Sequence, residues 1–198
     1  MAVIEPQKTS GLSITRVHRR ATRVVFFGFW LALTCNIPCT QARAQVQDEY
    51  QVKADFLYNF AKFVEWPAKA FPDNRAAFII GVVGDDPFGS KIEQAIKGKF
   101  ANGRGLVVKR FPTLKALTFC HILFIGSSEK NNLRPVIAAA GAGALTVGDT
   151  ERFTQDGGII NFAIVGSKVH FEINQAAAER AGLRISAKLL SLSRPIRN

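Results

Sequence analysis

Residues 77–96 read AFIIGVVGDDPFGSKIEQAI, and this stretch decides the fold class. Ala77–Gly84 is a short apolar run of the kind that forms a buried strand. A Gly-Asp-Asp-Pro loop follows, then a helix from about Phe88 to Ile96, with Asp85 or Asp86 as its cap and Pro87 in its first turn. The unit recurs downstream. Leu106–Phe111 reads as a strand, Leu114 marks a brief helical turn, and Phe119–Gly126 is a second buried strand. A helix over Glu129–Ala140 leads to a strand at Ala144–Val147. Upstream, Asp48–Trp66 places Val52, Phe56, Phe60, Phe63 and Val64 on one helical face, widened by Leu57, Tyr58 and Trp66, and Pro67 stops it. The end of the chain changes style. Gly157-Gly158 opens the run IINFAI, Val165–Lys168 forms a tight turn, and Val169, Phe171 and Ile173 alternate with His170, Glu172 and Asn174. Short helices at Gln175–Ala181 and Ser186–Ser193 close the chain. This alternation predicts an α/β fold: a three-layer Rossmann-like sheet, mostly parallel with a C-terminal hairpin, and helices on both faces.

The first 44 residues read as an export signal. Basic residues end at Arg23, an apolar run spans Val24–Ile37, Pro38 breaks it, and Ala42-Arg43-Ala44 offers a small-x-small cleavage site. Cleavage is expected between Ala44 and Gln45, leaving residues 45–198 as one domain. Arg19-Arg20 lacks the apolar follow-up of a twin-arginine signal. Thr34 and Pro38 precede Cys35 and Cys39 where lipid attachment wants a smaller residue. The expected location is the periplasm, with no membrane insertion after cleavage.

Composition narrows the function. The chain is 47% hydrophobic, which excludes disorder as its main state. No apolar run reaches the roughly 20 residues of a spanning helix, which excludes a multi-span protein. Net charge is +11; without residues 1–44 it is +6, from 20 basic and 14 acidic residues. That excess is spread over Lys97, Lys99, Arg104, Lys109, Arg110, Arg180, Arg184, Lys188, Arg194 and Arg197, a solvated surface rather than a nucleic-acid groove. Cys120 is the only thiol after cleavage and lies in an apolar run, so it reads as a buried free cysteine. Gly84–Lys91 sits where a phosphate loop would, but Asp85 and Asp86 put negative charge into the cradle. Neighbours on a strand point to opposite faces, so Cys120 and His121 cannot meet as nucleophile and base. His170 reads as a surface histidine. No metal-ligand spacing or serine-hydrolase motif occurs, and neither an enzyme nor a cofactor is expected.

Several blocks together resemble the YfiR family of periplasmic regulators. They are Tyr50-x-Val52-Lys53-Ala54-x-Phe56-Leu57-Tyr58-Asn59-Phe60-x-Lys62-Phe63-Val64-x-Trp66-Pro67, then Gly84–Gly89, Cys120–Gly126, Leu145–Asp149, Gly157–Phe162, Phe171–Asn174 and Arg180–Ser186, in family order. The resemblance implies a protein that binds the periplasmic sensor domain of an inner-membrane diguanylate cyclase and holds it inactive, lowering cyclic di-GMP and biofilm formation. The relatives suggest a homodimer. Better-known members carry further cysteines whose disulfides make repression redox-sensitive, and with Cys120 alone this chain needs another release signal. The other reading is a periplasmic small-molecule-binding protein coupled to a membrane sensor kinase.

The expected binding residues are Trp66, Pro67, Asp85, Asp86, Phe88, Arg184 and Lys188. Trp66 and Phe88 are the aromatic anchors, since aromatic residues dominate interface energetics. The Trp66-Pro67 corner and the Asp85–Phe88 loop are expected to lie close together. Arg184 and Lys188, one turn apart, would face an acidic partner.

Overall fold

A computed structural model of the chain describes residues 39–195, with side chains from residue 49 onward. Residues 1–38, and with them most of the expected signal, lie outside the described residues; so do the side chains of Ala44 and Gln45. The chain divides into Met1–Arg43 and Ala44–Asn198, and the architecture below is that of the second unit. No described helix is long and apolar enough to cross a membrane.

Helix α1 spans Cys39–Phe63 and runs directly into a two-residue strand β1, Val64–Glu65. The central elements follow as β2 (Phe78–Val83), α2 (Lys91–Ile96), β3 (Phe100–Ala101) and β4 (Arg104–Phe111). Next come β5 (Ile122–Ile125), α3 (Leu133–Ala140), β6 (Leu145–Gly148), β7 (Ile160–Val165) and β8 (Lys168–Ile173). Helix α4 (Gln175–Arg180), strand β9 (Arg184–Ile185) and helix α5 (Ala187–Leu192) end the described chain. Seven strands form one sheet in the order β3-β4-β2-β5-β6-β7-β8, and β1 pairs with β9 separately. The pairs β4–β2, β2–β5, β5–β6 and β6–β7 are parallel, while β3–β4 and β7–β8 are antiparallel. The fold is mixed α/β with a mostly parallel sheet.

The continuous apolar runs are explained by burial on both faces. In β5, Ile122 and Phe124 pack into a cluster with Leu57 and Phe60 of α1, whereas Leu123 and Ile125 join Val136 of α3 and Phe153. The buried stripe of α1 is Ala54, Leu57, Phe60 and Ala61, continued by Val64 of β1, with Lys53 beside it. This corrects the expected face. Val52 is 41% exposed, because the sheet takes the stripe one position further along. Helix α1 also ends at Phe63 rather than Trp66, since Val64 and Glu65 extend to pair with Ile185 and Arg184. The pairing places Arg184 on β9 and Lys188 on α5, so the two are not one helical turn apart as expected.

Candidate functional site

In an open parallel sheet, sites form beyond the carboxyl ends of the strands, where successive loops leave in different directions. Here the loops after β2 and β5 interlock. The Asp85 N–H donates to Ser128 Oγ at 2.9 Å, and a Cβ on Gly126 would come within 2.6 Å of the Asp85 carbonyl oxygen. Gly84 turns the chain there at φ +81°. Asp86 folds back as an Asx turn: its Oδ1 accepts from the Phe88 N–H at 2.8 Å, and its Oδ2 accepts from Arg110 Nε at 2.6 Å. Arg110 also holds Glu93 at 2.5 Å and donates to the Gly89 carbonyl. Its hydrogen bond keeps the Glu93 carboxyl below the usual carboxylate range.

Beside these loops, the Glu49–Lys53 turn of α1 meets Asp149 just past the end of β6. Lys53 is 2% exposed, and its ammonium bonds Glu49 Oε1 at 2.5 Å and Asp149 Oδ2 at 2.7 Å. The Tyr50 hydroxyl donates to the same Asp149 oxygen at 3.0 Å. Burial first, and the Asp149 charge second, raise the Tyr50 pKa, so its proton stays on. A crevice of about 460 Å³ opens here, lined by Glu49, Tyr50, Lys53, Asp149, Thr150 and Asn161 among others. Two buried polar atoms in that lining, Thr150 Oγ1 and Asn161 Oδ1, have no hydrogen-bond partner. Asn161 Nδ2 points to Glu172 Oε1 at 3.4 Å; a flipped amide would set oxygen against the carboxylate.

The expected site residues divide between two ends of the sheet. Asp85 and Asp86 border the carboxyl end. Phe88 is fully buried, edge-on to Tyr50 at 5.3 Å and to Phe124 at 4.7 Å, so it is a core residue and presents no surface to a partner. Trp66 packs edge-on to Phe78 at 4.8 Å, and its Nε1 donates to the His121 carbonyl at 3.3 Å. Phe78 starts β2 and Asp85 follows its end, so a strand of roughly 20 Å separates the corner from the loop. The expected closeness of Trp66-Pro67 to Asp85–Phe88 is therefore corrected. Trp66 instead adjoins the β1–β9 pair, where Arg184 Nε lies 3.9 Å from Glu65 Oε2 and Lys188 Nζ sits 5.0 Å over the Phe63 ring. Arg184 and Glu65 are both exposed, so their attraction is weak.

Cys120 is buried against Gly81, and burial pushes its thiol up to about 12. His121 lies on the other face, stacked on both Phe71 at 4.4 Å and Phe78 at 4.7 Å. Sequence reasoning missed Tyr50, Lys53 and Asp149 as site residues. The available signal was Lys53 itself, a charge one position from the apolar stripe of Ala54, Leu57 and Phe60.

No curated protein matches the chain. Nine chains of solved structures match. One is a conserved domain protein from Vibrio cholerae O1 biovar El Tor str. N16961, at 14% identity and a TM-score of 0.45. The match covers 71% of this chain and 58% of that one, so the chain spans little more than half of that protein's length. A family profile described as YfiR/HmsC-like matches residues 50–194, from Tyr50 at the crevice to Arg194 beside β8. Proteins of that family are periplasmic regulators of diguanylate cyclase signalling rather than enzymes. The chain belongs to the YfiR/HmsC-like family.

Proposed function

We propose that this chain is a periplasmic repressor that binds the periplasmic sensor domain of an inner-membrane diguanylate cyclase and lowers its cyclic di-GMP output. The observation that carries the reading is the family match over residues 50–194. Residues 1–44 export the chain and are removed after Ala44. The half-buried Trp66-Pro67 corner, with exposed Arg184 and Lys188 beside it, forms the docking face for an acidic sensor surface. Release does not run through an internal disulfide, because Cys120 has no cysteine to pair with in the mature chain. The direct test is a pulldown from solubilised membranes with the mature protein as bait. Recovery of one inner-membrane cyclase supports the reading, and recovery of a sensor kinase alone overturns it. Size-exclusion chromatography with light scattering decides whether the bait is a homodimer.

A second reading, a small-molecule-binding protein coupled to a membrane sensor kinase, draws support from the crevice at Lys53 and Asp149. Its unpartnered Thr150 and Asn161 oxygens are what a donor-bearing ligand would satisfy. Asp85 and Asp86 border that end of the sheet. Native mass spectrometry of protein purified from the periplasm tests it: a bound metabolite lost in Asn161→Leu supports a ligand site, and an empty mass spectrum removes it.

A further inference from the structure

The outer edge of the sheet is unfinished at β4. The Gly84 N–H donates to the Phe111 carbonyl at 3.1 Å, so the Phe111 backbone faces β2. Backbone direction alternates along a strand, so Lys109 and Val107 also face β2, while Leu106, Val108 and Arg110 face away. Strand β3 reaches only Arg104 and Gly105. Beyond the reach of β3, the outward N–H and C=O groups of Val108 and Arg110 have no backbone partner among the described residues, and an open edge of this kind is a template for another strand.

A groove of about 650 Å³ lies between this edge and α2, with Ile96, Lys97, Lys99, Phe100, Leu106 and Val108 in its lining. Phe100 is 65% exposed, the most open large apolar side chain described. Lys97 and Lys99 are exposed. Glu93, the acid in the lining, is already bound by Arg110, so the open charge of the groove is positive. A second copy on the same edge would set these lysines and Lys109 against their own kind, which is unfavourable across paired strands. We propose that an extended acidic segment of a partner protein adds as a strand to the outer edge of β4, in the groove between β4 and α2. The proposal goes beyond the reading above and does not depend on the partner being a cyclase.

The probe is an acetylated six-residue peptide alternating glutamate and valine, with a lysine–valine peptide as control, added to the protein purified from the periplasm. With nine-tenths of the protein occupied, hydrogen exchange at the Val108 and Arg110 amides slows about tenfold, because only the free fraction exchanges. Val108→Pro removes an outward N–H that β2 does not use, so it abolishes binding while the thermal midpoint stays near that of the parent. Should that variant not fold, Lys97→Glu with Lys99→Glu serves: it weakens the glutamate peptide and favours the lysine one. Equal binding of both peptides, protection confined to other amides, or no binding of either at millimolar concentration overturns the proposal. So does protection of Val108 and Arg110 in a peptide-free dimer, which would give the edge to a second copy.

Discussion

His121 shows how one buried ring fixes a corner of this protein. Its Nδ1 accepts from the Ile79 N–H at 3.0 Å, and its Nε2 lies 3.2 Å from the Ala70 carbonyl, to which it donates. Both contacts suit the neutral ring. Burial, more than the nearby Arg104 charge, lowers its pKa from 6.5 to about 4. The unfolded chain takes up a proton near pH 6.5 and the folded protein only near pH 4. The contribution to stability is therefore full above about pH 6.5 and is lost as pH falls toward 4, by up to about 3 kcal/mol. Urea unfolding of His121→Gln checks this: its deficit against the parent at pH 7.5 shrinks at pH 4.5, and a constant deficit would refute the coupling. Lys53 makes a second residue-scale case. Lys53→Met leaves Asp149 with only 9% side-chain exposure and no cation, at a cost of about 3 kcal/mol. Denaturant unfolding of Lys53→Met/Asp149→Leu recovers part of that loss, whereas an additive double variant would mean the pair is not coupled.

At the scale of elements, the loop from β2 to α2 is held by long-range contacts. Phe88 joins Tyr50 of α1 to Phe124 of β5, and Phe88→Ala lowers stability by about 3–5 kcal/mol in chemical denaturation. A loss under 1 kcal/mol would return Phe88 to the surface role expected from its loop position. That expectation failed because what covers a loop aromatic is set by residues dozens of positions away. The central parallel strands β2, β5 and β6 were legible, since AFIIGVVG, CHILFIG and LTVGD are apolar runs with turn residues beside them. The two-residue strands β1, β3 and β9 carry no period to read. Helix α2 starts at Lys91, not Phe88, because the Asp86 turn and the positive φ of Gly89 occupy the preceding residues. The face of α1 was read one position off because Val52 fits the apolar spacing but meets solvent, while Lys53 is drawn inward by Glu49 and Asp149.

On the scale of the whole molecule, the sheet separates two regions with different chemistry. The carboxyl end holds the Lys53–Asp149 crevice and the Asp85–Asp86 loop; the opposite end holds the aromatic packing of Trp66, Phe71, Phe78 and His121, with Arg184 nearby. This division was not legible in the sequence, since the parallel crossovers bring Tyr50 to Asp149 across 99 positions. The export reading makes its own prediction: N-terminal sequencing of the protein from the periplasm begins at Gln45, and a chain beginning at Met1 would contradict it. Repression of a membrane cyclase is tested by cyclic di-GMP synthesis from the captured full-length cyclase, reconstituted in lipid nanodiscs, with and without the mature protein on the sensor side. Synthesis falls as the protein is added, and less so with Trp66→Ala. A rate unchanged while the two proteins remain bound, or a rate that rises, would mean that the protein is not a repressor of the cyclase.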